Sequence, residues 1–166
     1  EERIGSTPYM IGFRDIARTT DERTAIMSVI PRSGVGNKLP ILVLNRRFGQ
    51  FLPVLLSDES KLSGDTGLVA NVIAFVFDFV VRQKVGGATL NFFYVKQFPV
   101  LPPSSYSRNT ISWISPRVLE LVFTAWDLQQ FAQDILYSGP PFVWDDERRF
   151  IMRCELDALY FHLYGI

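Results

Sequence analysis

Gly139-Pro140-Pro141-Phe142 has the outline of a loop that grips a nucleobase turned out of a duplex. In such a loop the ring stacks on the base, and the side chain ahead of the prolines accepts from the exocyclic amine. Gly139 has no side chain to accept with, and no glycine-rich cofactor loop follows an earlier strand-like segment. A plain turn is therefore expected there. Asp58-Glu59-Ser60-Lys61 contains a Glu-x-Lys that metal-dependent nucleases could use, but no partner carboxylate precedes it on a strand, so a solvated turn is expected. His162, between Phe161 and Leu163 with no serine or cysteine motif nearby, is expected to pack or cap a helix. Cys154 lies on a stripe of Phe150, Cys154, Ala158 and Phe161 and is expected in the core. With 1 Cys and 1 His the chain cannot ligate a structural zinc, and calcium-loop spacings are absent. No catalytic constellation and no metal site are expected.

The basic side chains carry what chemistry is left. Arginine offers two parallel donors to guanine or to phosphate, and basic residues on loops are the best placed to use them. Arg14, Arg18 and Arg23 lie around one polar stretch, and Arg32, Asn37 and Lys38 lie in another. Arg46 and Arg47 are adjacent, while Arg82, Lys84 and Asn91 flank Gly86-Gly87. The expected DNA contacts are Arg18, Arg23, Arg32, Asn37, Lys38, Arg46, Arg47, Arg82, Lys84 and Asn91.

The chain of 166 residues is long enough to bury roughly 70% of its extended surface, and its 14 phenylalanines supply rigid core volume. A net charge of zero gives no global attraction to nucleic acid or anionic lipid. The charge is uneven: residues 1–103 hold 12 Lys/Arg against 9 Asp/Glu, and residues 104–166 hold 5 against 8. A lone cysteine forms no internal disulfide, so a cytoplasmic protein is expected. The absence of an initiating methionine leads to the expectation of a piece of a longer protein. Asn71 and Asp78 interrupt the apolar run at 68–81, which is too short for a bilayer, and no membrane partner is expected.

Positioning elements follow from pattern. Tyr9 to Ala17 and Thr24 to Ile30 read as two strands around a polar loop, hence an antiparallel pair. Residues 31–39, with Gly34, Gly36 and Asn37, read as a loop; Pro40 to Leu44 is apolar and Phe51 to Leu56 is strand-like, followed by the charged turn at 57–61. Leu68 to Val81 reads as one helix stopped by Gly86-Gly87, and Ala88 to Val95 as a strand ended by Pro99, Pro102 and Pro103. Residues 102–109 read as a Pro/Ser linker, dividing a module at 1–103 from a helical tail at 104–166. Within the tail, Ser115-Pro116 is expected to start a helix, Asp127 to Leu136 to form a short one, and Asp145 to Tyr164 to form a terminal helix stopped by Gly165. The fold class expected is α+β: a mixed sheet with packed helices and a helical C-terminal tail.

Several short motifs in this order resemble the C-terminal region of large adenine-N6 DNA methyltransferases of fused restriction-modification and phage-defence enzymes. They are Gly12-Phe13-Arg14-Asp15-Ile16-Ala17-Arg18, Thr20 to Thr24, Ile30-Pro31, Phe77-Asp78-Phe79, Arg82-Gln83-Lys84, Leu90 to Phe93 and Lys96 to Pro99. In the tail they are Trp126-Asp127-Leu128, Gly139 to Phe142, Glu155 to Ala158 and Tyr160 to Gly165. The segment at 66–103 also resembles recognition domains of type I specificity subunits. The resemblance implies a module that reads double-stranded DNA without catalysis or a cofactor of its own. S-adenosylmethionine would then be bound, and adenine methylated, by an N-terminal catalytic domain of the same polypeptide, with or without an endonuclease. The alternative expectation is a scaffold that docks the catalytic domain or a partner subunit, suggested by the neutral charge and by Leu156, Leu159, Tyr160 and Leu163 on the last helix.

Overall fold

The computed structural model describes residues 8–42 and 60–166. Strand β1 (Tyr9–Phe13) lies between β2 (Met27–Pro31) and β3 (Ile41–Leu42), and both pairings are antiparallel. The register sets Ile11 opposite Val29 and Phe13 opposite Met27. These four side chains are buried, as the period of two requires when one face of a sheet covers the core. With its helices the chain has the expected α+β fold, but the sheet among the described residues is antiparallel throughout where a mixed one was expected.

Helices α1 (Ser60–Ile73) and α2 (Phe75–Lys84) replace the single helix expected over 68–81. The break is at Ala74, whose ψ of 147° is extended. Alanine cannot cap with its own side chain, and the missing acceptor comes from elsewhere: Asp157 Oδ1 accepts from the Phe75 amide at 2.6 Å. A cap supplied across 82 residues leaves no mark in the local pattern.

The strand expected at 88–95 does not form. Thr89 makes one isolated antiparallel bridge to Ile16, and the chain then enters helix α3 (Phe92–Val95). Asn91 decides this, because its Oδ1 accepts from the amides of Phe93 and Tyr94 at 3.0 and 3.3 Å. The expected linker at 102–109 shortens to one 3-10 turn, Pro103–Ser105, before α4 (Arg108–Val122) begins. Ser107, not Ser115, caps α4, accepting from the Thr110 amide at 3.1 Å. Pro116 lies inside the helix. The buried Ser115 hydroxyl pairs with Thr66 at 3.0 Å, and the Arg117 guanidinium donates to the Trp113 carbonyl at 2.9 Å, beside the donor that proline lacks.

A second 3-10 turn, Trp126–Leu128, leads into α5 (Gln129–Asp134), and α6 (Asp146–Tyr164) closes the fold. Its ends are as expected: Asp145 Oδ1 accepts from the Arg148 amide at 2.9 Å, and Gly165 takes the left-handed conformation at φ 77°. Its buried stripe is Met152, Leu156 and Tyr160, one face round from the expected one. Cys154 is exposed, which corrects its assignment to the core, and Phe150 is 60% exposed.

Two apolar clusters share the sheet and α1. One joins Ile11, Val69, Ile114, Phe123, Phe131 and Tyr160, so it draws on residues either side of the 103/104 division. The other joins Phe13, Met27, Phe77, Val81, Leu90 and Phe98. Two phenols tie the first together: buried Tyr160 Oη donates to the Gly67 carbonyl at 2.7 Å, and half-buried Tyr164 Oη donates to Pro99 O and accepts from Asn71. An added Cβ at Gly67 would meet the Tyr106 ring at 3.2 Å. Among the described residues no helix is long and apolar enough to cross a membrane.

Burial pushes the Tyr106 phenol up to about 12 and raises those of Tyr160, Tyr164 and Tyr9. A phenol raised in the folded chain holds its proton where the unfolded chain has lost it. Stability is therefore complete below about pH 10 and falls as pH rises above it. We expect chemical denaturation to show a constant midpoint from pH 7 to about 9.5 and a steep decline toward pH 12, with Tyr160→Phe shallower in slope. Equal slopes in the two proteins would show that the Tyr160 phenol is not held as described.

Candidate functional site

At the Phe13 end of the sheet, segments 14–25, 36–40 and 82–91 meet. Asp15 stands at their junction: its amide donates to Lys38 O at 3.0 Å, its carbonyl accepts from Leu90 N at 2.6 Å, and its carboxylate pairs with Lys38 Nζ at 2.9 Å. The Ala17 amide donates to Ala88 O at 3.1 Å, so the Gly86-Gly87 turn lies against the segment at 15–17.

Asp78 and Arg82, one turn apart on α2, hold the loop at 18–25. Asp78 is 3% exposed, and its Oδ1 accepts from the Ala25 amide at 2.7 Å while Oδ2 pairs with Arg82 at 3.2 Å. Arg82 in turn donates to the carbonyls of Thr19, Asp21 and Glu22 at 2.7, 2.9 and 2.9 Å. One guanidinium, whose N–H groups form a fixed fork, thus gathers three carbonyls of the loop onto α2. Arg14 adds an ion pair to Asp21 at 2.6 Å.

A second anchor comes from α6. Asp157 Oδ2 pairs with Arg23 at 3.4 Å, and the Arg23 guanidinium lies 5.1 Å from the centre of the Phe75 ring. The carboxylate that caps α2 therefore also fixes the C-terminal half of the loop.

The sequence candidates divide accordingly. Arg18 and Lys84 are exposed at the junction, Lys38 is exposed and paired with Asp15, and Asn37 is exposed beside it. Arg23 and Arg82 bind the protein itself. Asn91 caps α3 through its side-chain oxygen. Arg32 is exposed at the opposite end of β2, where its amide donates to Pro8 O at 2.9 Å, so it does not join this group. Arg46, Arg47 and the strand-like piece at 51–56 lie outside the described residues, as do Asp58 and Glu59.

Lys96, exposed directly after α3, is not among the DNA contacts expected from sequence, and the anchoring role of Asp78 is not among the expectations either. A carboxylate in an otherwise apolar helical run was the available signal for Asp78. The Gly139 turn is structural: Phe142 stacks on Tyr137 at 5.1 Å, its amide donates to Phe123 O at 2.9 Å, and Tyr137 Oη would meet a Cβ at Gly139. His162 is exposed, and its carbonyl accepts from the Gly165 amide. Among the described residues no group of three or more His, Cys, Asp or Glu side chains could hold a metal ion. Comparison with protein-family models, curated proteins and solved structures finds no match for this chain.

Removing the Asp78 carboxylate would leave the Ala25 amide without its acceptor and Arg82 without its counter-charge. Breaking a buried pair from one side costs about 3 kcal/mol, which for a chain of this size lowers Tm by roughly 10 °C. We expect that loss for Asp78→Ala in calorimetry, and a loss of about 1 kcal/mol or less for Asp127→Ala on the surface. Equal effects of the two substitutions would contradict the anchoring role.

Proposed function

We propose that this chain reads double-stranded DNA, as the target recognition part of an adenine-N6 methyltransferase or restriction-modification enzyme, and has no catalytic activity of its own. The reading rests on one observation. Basic and polar residues singled out from three separate stretches of sequence, Arg18, Lys38 and Lys84 among them, come together at one end of the sheet. Their loops are braced from behind by Asp78, Arg82 and Asp157.

Such an arrangement suits DNA recognition physically. Exposed lysine and arginine neutralise phosphates and set register, and side chains on held loops reach base edges in the major groove. A braced loop loses little conformational freedom on binding, so more of the contact energy appears as affinity. Zero net charge fits a module whose phosphate grip is shared with a catalytic domain of the same polypeptide, where S-adenosylmethionine would bind.

We expect the double variant Arg18→Glu, Lys84→Glu to bind random-sequence duplex DNA roughly tenfold more weakly per lost phosphate contact at about 0.1 M salt, with a salt slope reduced by about 1 for each. Arg153→Glu, on the exposed side of α6, serves as the control and should leave affinity unchanged. Anisotropy titrations at several salt concentrations measure both. Equal affinities for the double variant and the wild type would remove this surface as the DNA contact.

A further inference from the structure

Phe93 is 72% exposed, more than any other phenylalanine or tryptophan ring among the described residues. The comparably exposed Trp144 is partly dressed, with Arg149 lying 3.7 Å from its ring centre and Asp146 accepting from its indole at 2.7 Å. For Phe93 the ring contact among the described residues is the edge of Tyr94, at 5.6 Å between ring centres.

The backbone beneath Phe93 is fixed on every side. Its amide donates to Asn91 Oδ1 at 3.0 Å, and its carbonyl accepts from Gln97 Nε2 at 2.9 Å. The neighbouring Phe92 sets its ring edge-on against buried Phe13 at 5.4 Å. Phe13 ends β1, and Leu90 is bonded to Asp15 two residues further on, so α3 emerges from the same junction as Arg18, Lys38 and Lys84. Lys96 follows one residue after α3 and is exposed. An apolar ring is thus presented to solvent on a rigid support, among cations.

We infer that Phe93 makes apolar contact with the C5-methyl of thymine in the major groove, and so contributes to sequence choice; this rests on the DNA-reading proposal above. The thymine methyl is the one apolar group that base edges present in that groove, and an aromatic side chain is a suitable partner for it. The exposed lysines of the same junction suit neighbouring phosphates. Because the backbone that carries the ring is already held, little of the chain has to order on contact.

The test starts from a random-sequence duplex pool enriched on the wild-type chain, with the enriched duplexes then made either with thymine or with uracil, which lacks only the methyl. The wild type should bind the uracil duplexes about fourfold more weakly per methyl contacted, the worth of one buried CH2-sized group. Phe93→Ala should bind both forms equally while keeping the wild-type salt slope, which also reports that the phosphate contacts and the fold are intact. A wild-type chain that does not distinguish the two forms, or a Phe93→Ala variant that still does, would overturn the inference and leave the DNA-reading proposal standing. A wild-type chain that binds no duplex at low salt would overturn both. Altered self-association in Phe93→Ala, with unaltered DNA binding, would assign the ring to a protein contact instead and overturn the inference.

Discussion

A buried carboxylate in the middle of an apolar helix is the constraint from which this structure is organised. Asp78 must have donors because it is almost wholly removed from water, and it finds them in the Ala25 amide and in Arg82. Those two choices fix the rest of the loop. With Ala25 tied to α2, the start of β2 is placed, and with Arg82 turned toward Asp78 the same Nη2 also reaches the carbonyls of Asp21 and Glu22 while Nη1 reaches that of Thr19. Such a pair adds little net stability compared with a well-packed apolar substitute, since desolvation offsets most of the attraction. What it supplies is one geometry: a slipped loop would leave a buried charge unpaired.

Asp157 extends the same logic across the fold. A single carboxylate on α6 caps the break between α1 and α2 and pairs with Arg23. The terminal helix therefore reaches the candidate recognition loop through one residue and the helix break through the same one. This contact, together with an apolar cluster that includes both Ile11 and Tyr160, makes the last helix part of the support for the N-terminal sheet.

Local signals were legible where the deciding partner lies within a few residues. The antiparallel β1–β2 pair follows from alternation around a polar loop, and the ends of α6 follow from Asp145 and Gly165. Sequence pattern fails where the partner is distant. The helix break at Ala74 depends on Asp157, and the inward turn of Arg82 depends on carbonyls some 60 residues earlier. At two other places the outcome is decided by local competition. Asn91 and Ser107 are each caps that outweighed a more conspicuous neighbour, a β-rich run in one case and Ser115-Pro116 in the other. The stripe of α6 was placed one face away because Phe150 and Cys154 look apolar but face solvent. At the candidate site the residue types were legible and their division of labour was not: nothing local separates Arg82, bonded to the protein, from Arg18, exposed at the junction.

The claim that α2 holds the loop at 18–25 is tested most directly by amide hydrogen exchange on the wild type and on Arg82→Met, which keeps much of the side chain's apolar volume and removes its donors. The hydrogen-bonded amides of the loop, those of Asp21 and Ala25, should exchange about a hundredfold faster in the variant, while those of α6 and of the β1–β2 ladder are little changed. Unchanged protection across 18–25 would contradict it.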